Sequence, residues 1–131
     1  MKTSGAKPNT KTAAKSTSAD KPESTIQYEI RRALGLVDGL ELLPNVQGVF
    51  KDNRGNSRKV GLGVGTPDLV GIIAPSGRIF ALEVKSATGR LSDEQKLCHA
   101  RWRRLGAFVG VVRSADEAIA ALDRARSGAT E

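Results

Sequence analysis

A chain of 131 residues with a formal net charge of +7 is long enough for one domain of ordinary size, and its basic balance points to a polyanionic partner, most simply a nucleic acid. A single cysteine, Cys98, excludes an intrachain disulfide and a Cys-rich zinc site, and with His99 the single histidine, histidine-based nucleases, Ser-His triads and HExxH metal sites are expected to lack their parts. No apolar run approaches the roughly 18 residues of a membrane span, and the first residues hold no hydrophobic signal segment, so a cytoplasmic setting without membrane contact is expected.

Residues 1–22 are Lys, Ser, Thr and Ala with almost nothing apolar, and are expected to be a disordered basic tail. They hold five lysines and one aspartate, four of the seven net charges, so the rest of the chain is only mildly basic. From Glu23 to about Leu36 the positions Ile26, Ile30, Ala33, Leu34 and Val37 form one helical stripe, with Pro22 placed at the start. Leu40 to Phe50 reads as a short strand broken at Pro44-Asn45. Lys51 to Arg58 reads as a turn or mobile loop in which Lys51, Arg54, Arg58 and Lys59 crowd together, and Val60 to Gly65 as a glycine-rich lead.

The centre of the chain carries the chemistry. Leu69 to Ile73 and Arg78 to Val84 read as two strands joined by Ala74-Pro75-Ser76-Gly77, expected as a type I turn. If the hairpin closes symmetrically about Pro75 and Ser76, Asp68 lies directly opposite Glu83, with Cβ atoms roughly 4.5–5.5 Å apart. Two carboxylates that close repel, and a divalent cation between oxygen ligands removes the repulsion, which suits Mg²⁺ or Mn²⁺. Lys85, two residues beyond Glu83, points to the same face. Val70, Ile72, Ile79 and Ala81 share the carboxylate face, and Leu69, Ile73, Phe80, Leu82 and Val84 the other. A ribbon apolar on both faces belongs in the middle of a sheet between helices.

After a loop over residues 86–90, Ser92-Asp93-Glu94-Gln95 has the form of a capping box and opens a helix to about Leu105, with Gly106 as its stop. Phe108 to Val112 is a short apolar strand. Ser114 to Glu117 is a second capping box opening a helix with Ala118, Ile119 and Leu122 inward. Trp102 is read as packing rather than base stacking, and His99 as an ordinary helix residue. The element order is α-β-β-β-α-β-α.

Gly65-Thr66-Pro67-Asp68-Leu69, Glu83-Val84-Lys85, Leu91 to Gln95, the strand from Phe108 and Val112-Arg113-Ser114, in that order, resemble the VRR-NUC branch of the PD-(D/E)xK nuclease superfamily, in its small standalone phage and bacterial form. Asn45-Val46-Gln47-Gly48 resembles an Asn- and Gly-containing stretch of those members. The resemblance covers about Glu23 to Leu122. It implies a restriction-endonuclease-like three-layer α/β core, with a central mixed sheet flanked by helices, in a nuclease domain over residues 23–126 followed by a C-terminal tail over 127–131. It implies a Mg²⁺- or Mn²⁺-dependent DNA endonuclease, structure-selective for branched or junction-like DNA, acting as a homodimer. Asp68, Glu83 and the Val84 carbonyl would hold the metal. Lys85 would position or activate the attacking water, Gln95 would point into the site, and the acidic residue of the first helix would be Glu23, with Glu29 the alternative. Only Arg113 stands where the family name has two arginines, and no catalytic role is assigned to it. The rival readings are a noncatalytic nucleic-acid-binding module on the same fold and an RNA-directed accessory protein.

Overall fold

The computed structural model describes residues 21–43 and 45–131, so most of the expected tail, residues 1–20, lies outside the described part. The chain runs α1 (Glu23–Leu34), β1 (Leu40–Leu43), β2 (Gly48–Lys51), β3 (Ser57–Val60), β4 (Leu69–Ile73), β5 (Arg78–Val84), α2 (Asp93–Arg104), β6 (Phe108–Val112) and α3 (Ala115–Arg126). Four strands form one sheet in the order β1-β4-β5-β6, with β5 and β6 parallel and the other pairs antiparallel. β2 and β3 form a separate antiparallel ribbon. Without that ribbon the order is the α-β-β-β-α-β-α expected from the sequence.

The ribbon corrects the reading of residues 40–60. Leu40 to Phe50 is two strands in two sheets rather than one interrupted strand, and the loop read over 51–58 is a turn over residues 52–56 between paired strands.

The two helix layers follow from strand alternation. Leu69, Ile73, Phe80, Leu82 and Val84 face α1 and α3 and join Ile26, Ile30, Leu34, Ala118, Ala121 and Leu122 in the main core. Each fully buried Ile or Leu contributes roughly 1.5–3 kcal/mol over the same side chain left in water. At the centre the Phe80 and Phe108 rings stack with centroids 5.3 Å apart, fixing β5 against β6. The opposite face is thinner: Val70, Ala81, Ala107 and Val109 cluster with Trp102 of α2 packed on them. Trp102 is therefore a packing residue. Ile72 and Ile79, on the same face, stay partly exposed, at 39% and 40%.

Helix boundaries are set by caps. Ser92 accepts from the Gln95 amide and the Gln95 side chain accepts from the Ser92 amide, the full capping box. At α3, Ser114 accepts from the Glu117 amide, but the Glu117 carboxylate reaches past it to the Arg113 amide at 2.9 Å, so only half of the expected box forms. The connection between β4 and β5 also departs from expectation. It spans residues 74–77 with a cis Ala74–Pro75 peptide rather than a type I turn, and the Gly77 amide donates to the Ile73 carbonyl at 2.9 Å.

Residues 127–131, expected as a tail, are tied to the domain instead. The Val109 amide donates to Thr130, and the Arg78 guanidinium donates to the carbonyls of Gly106 (2.8 Å), Ala125 (2.9 Å) and Ala129 (2.6 Å). One cation thus gathers carbonyls at and just beyond the C-terminal ends of α2 and α3, where the helix dipoles favour positive charge. Arg78→Met keeps much of the aliphatic stem and removes all three bonds. It is expected to lower stability by about 2 kcal/mol, read as a lower urea midpoint at unchanged m-value.

Candidate active site

The β4–β5 register pairs Leu69 with Leu82 and Val70 with Ala81. Continued by one residue, it sets Asp68, just before β4, opposite Glu83. Asp68 Oδ2 accepts the Val84 backbone amide at 2.8 Å. Glu83 is 2% exposed, at a position where a carboxylate is costly unless other groups satisfy it. Two residues supply such groups to Oε2, and a third, His99, lies close to Oε1 without bonding it. Gln95 Nε2 donates to Glu83 Oε2 at 3.1 Å, Lys85 Nζ stands 3.7 Å from the same oxygen, and His99 Nε2 stands 3.4 Å from Glu83 Oε1. Burial is the main cause of an Asp68 pKa pushed up to about 6. The Val84 amide bond opposes that shift, nearby Glu83 adds to it, and Lys85 lowers it.

Gln95 has two jobs on one side chain. Its Oε1 closes the capping box on the Ser92 amide at 2.9 Å, and its Nε2 reaches Glu83. The capping reading holds, and the same side chain also bonds Glu83. Position 99 lies one helical turn further on, so α2 presents Gln95 and His99 on the same side. The sequence carries that i, i+4 spacing, but a lone histidine offers no motif that would single out His99 from an ordinary helix residue. Its two ring nitrogens and Glu83 Oε1 are buried and make no hydrogen bond among the described residues.

The approach of α2 to the strands depends on Gly65. Its φ is +82°, and a Cβ there would lie 2.6 Å from the Glu94 carbonyl oxygen, so both the backbone conformation and the space require glycine. Asn45, left out of the site by sequence reasoning, donates from Nδ2 to the Pro67 carbonyl at 2.7 Å and fixes the chain just before Asp68. Arg113 Nη1 donates to the carbonyls of Ser86 and Gly89, holding the loop between Lys85 and α2. It positions that loop and touches neither carboxylate in the described contacts.

The two candidates on α1 separate. Glu29 is engaged with Lys21 at 2.9 Å. Glu23 Oε2 and the Lys85 Cδ each lie 3.4 Å from the point where Gly89 would carry a Cβ, so Glu23 borders the Lys85 loop. The Val84 side chain is buried in the main core and its amide serves Asp68. A hollow of about 350 Å³ between Arg78, Ile79, Trp102 and Leu105 lies at the opposite end of β5 and has no carboxylate in its lining.

Among the described residues no three His, Cys, Asp or Glu side chains gather into a ready metal cluster. The donors that fit a cation are the paired carboxylates of Asp68 and Glu83. Burial and mutual proximity raise the cost of charging Asp68, and Glu83 Oε1 is buried without a hydrogen bond. Hard oxygen donors of this kind suit Mg²⁺ or Mn²⁺, and Mg²⁺ needs only one or two carboxylates when substrate phosphate and water complete its shell.

The raised Asp68 pKa has a testable sign. Its folded value, about 6, exceeds the ordinary carboxylate value of 3.8, so ionising Asp68 costs folding stability. The proton-bound contribution is complete below about pH 4 and is lost as the pH rises through about 6. Without added metal, Asp68→Asn is expected to melt close to wild type near about pH 4 and above it near about pH 7.5, as read by differential scanning calorimetry. A wild-type advantage at the higher pH would contradict the geometry.

The family model of the VRR-NUC domain matches residues 45–116, more than half of the chain. A solved structure described as a VRR-NUC domain is similar at 27% identity with a TM-score of 0.51, over 77% of this chain and 94% of that one. No curated protein matches. The matched span runs from Asn45, which braces Pro67, through Asp68, Glu83, Lys85 and Gln95 to the start of α3, and with the shared fold it shows that the chain belongs to the VRR-NUC family of nuclease-type domains.

Proposed function

We propose that this domain is a divalent-metal-dependent DNA endonuclease that hydrolyses phosphodiester bonds at the Asp68, Glu83 and Lys85 cluster, with Mg²⁺ or Mn²⁺ as its cofactor. The observation that carries this reading is a buried Glu83 carboxylate set against a half-buried Asp68, with a lysine 3.7 Å from Glu83, at the end of a hairpin in a nuclease-type fold. Asp68, Glu83 and the Val84 carbonyl are the groups that would hold the cation. When bound, it would supply Lewis acidity to the phosphate and lower the pKa of an attacking water.

The chain's own residues supply the rest. The ammonium of Lys85 offers positive charge and donors both to an incoming water and to the non-bridging oxygens, where negative charge grows in the transition state. Gln95 holds Glu83 Oε2 from the other side, so the carboxylate does not need to reorganise when substrate arrives. Glu23, beside the Lys85 loop, is the candidate for a further polar contact.

Branched or junction-like DNA is the proposed substrate class, because one small domain has limited surface for reading a long sequence. A homodimer with two-fold symmetry would bring two such sites to two strands. The rival reading is a nucleic-acid-binding module that does not cleave, and the lack of a third clustered ligand among the described residues is the observation in its favour.

A cleavage panel of junction, flap, single-stranded and linear duplex DNA with Mg²⁺ or Mn²⁺ decides between them. Wild type is expected to cut in a metal-dependent manner. Lys85→Ala is expected to lose about 10²–10³-fold in kcat, the usual magnitude for removal of one preorganised electrostatic group. Equal rates for the two proteins would remove Lys85 from the mechanism, and DNA binding without cleavage of any substrate would establish the binding module.

A further inference from the structure

We infer that the β2–β3 ribbon is a second nucleic-acid contact that grips the phosphate backbone beside the cleavage site. This rests on the nucleic-acid reading above and extends it to a surface outside the carboxylate cluster.

Charge is the first argument. Residues 23–131 contain sixteen Lys and Arg against thirteen Asp and Glu, a net of +3. The thirteen residues 48–60 hold four of those cations (Lys51, Arg54, Arg58, Lys59) and one anion, Asp52, which is also +3. The remainder of the domain is formally neutral. Its whole positive excess is carried by one two-stranded projection.

Exposure is the second argument. All eight strand residues of the ribbon are exposed, and it is not hydrogen-bonded to the four-stranded sheet. An element that buries so little has no evident task in holding the fold. Val49 (63%) and Phe50 (51%) stand in solvent on it, where aliphatic and aromatic surface can lie against sugars while cations reach phosphates.

Register supplies the third argument. Val49 pairs with Lys59 and Lys51 with Ser57, so Lys51 and Lys59 share one face as diagonal neighbours, about 7–8 Å apart by sheet geometry. Neither forms an ion pair with a described residue. Arg58, on the other face, is held by Asp52 at 3.0 Å. The turn is built by Asp52 as well: its Oδ1 accepts the Arg54 and Asn56 amides, both at 2.9 Å, so Arg54 is presented from an ordered tip.

Placement is the fourth argument. Gln47, ahead of β2, donates to the Thr66 carbonyl at 3.5 Å, and Asn45 donates to the Pro67 carbonyl. The base of the ribbon is therefore bonded to the segment that delivers Asp68. A polyanion held at the base of the ribbon would adjoin the chain that leads into Asp68. A second copy of this chain is the poorer fit for that face, since outside the ribbon residues 23–131 are formally neutral and residues 1–22 add +4, which offers no anionic counterpart. A two-stranded ribbon is also a shape that a DNA groove admits.

The test is the salt dependence of binding by the full chain, using a fluorescein-labelled four-way junction in EDTA and fluorescence anisotropy over a KCl series. Each lost phosphate contact lowers the slope of log Kobs against log salt by roughly 0.9. Lys51→Gln/Lys59→Gln is expected to lower it by about two and to weaken low-salt binding at least about tenfold, with kcat unchanged and KM raised in Mg²⁺. Lys51→Arg/Lys59→Arg is expected to keep the wild-type slope. A wild-type slope in the glutamine variant overturns the inference. So does an unchanged slope with an altered oligomeric state by light scattering, which would make the ribbon a contact between copies. A ribbon-dependent slope in a protein that never cleaves supports the ribbon while overturning the hydrolase. Cleavage with a slope indifferent to both lysines does the reverse, and wild type that does not bind DNA overturns both.

Discussion

Everything around the site follows from one register. The β4–β5 hairpin sets Asp68 against Glu83 at the end of a strand pair that is covered on both faces, and so forces two carboxylates into poorly solvated neighbouring positions. Left alone, such a pair would cost several kcal/mol. The surroundings are arranged to limit that cost: the Val84 amide on Asp68, and the Gln95 amide and Lys85 ammonium on Glu83. Gly65, Asn45 and Arg113 act one step further out, bringing α2 close, bracing the entry to β4 and holding the loop after Lys85.

The asymmetry of the two sheet faces gives this arrangement its footing. Most of the core lies between the sheet and α1 and α3, where Ile, Leu and Phe side chains interlock. The α2 face is lined by Val70, Ala81, Ala107 and Val109, small side chains that let the helix lie near the strands. Gln95 and His99 reach Glu83 because so little stands between. Scaffold stability and site geometry are thus largely assigned to opposite faces of the same sheet.

The central hairpin was legible in the sequence because the alternation of its two apolar strands specifies register, and a one-residue slip would have reversed every side chain, even though the connection is not the type I turn expected. The capping box announced α2 for the same kind of local reason. The ribbon was not legible. Strand recognition relies on one face being apolar and buried, and β2 and β3 bury neither face, so Lys51 to Arg58 looked like a polar loop. The α1 carboxylate was ambiguous because Glu23 and Glu29 both lie on the first helix. Only the fold shows that Lys21 engages one and the Lys85 loop borders the other. His99 needed the approach of α2 to β5, a long-range fact that helical periodicity could suggest but not establish.

The two hydrogen bonds made by the Gln95 side chain have a consequence for what position 95 tolerates. At the third position of a capping box glutamate and glutamine serve the helix equally, since either offers an oxygen to the Ser92 amide. Only glutamine has a donor left over for a neighbouring carboxylate. Glutamate would keep the helix start and set a third negative charge against Glu83, while leucine would lose both bonds. The start of α2 and the state of Glu83 are therefore not independent variables: fraying of the first helical turn releases the carboxylate, and a well-held carboxylate keeps the turn wound.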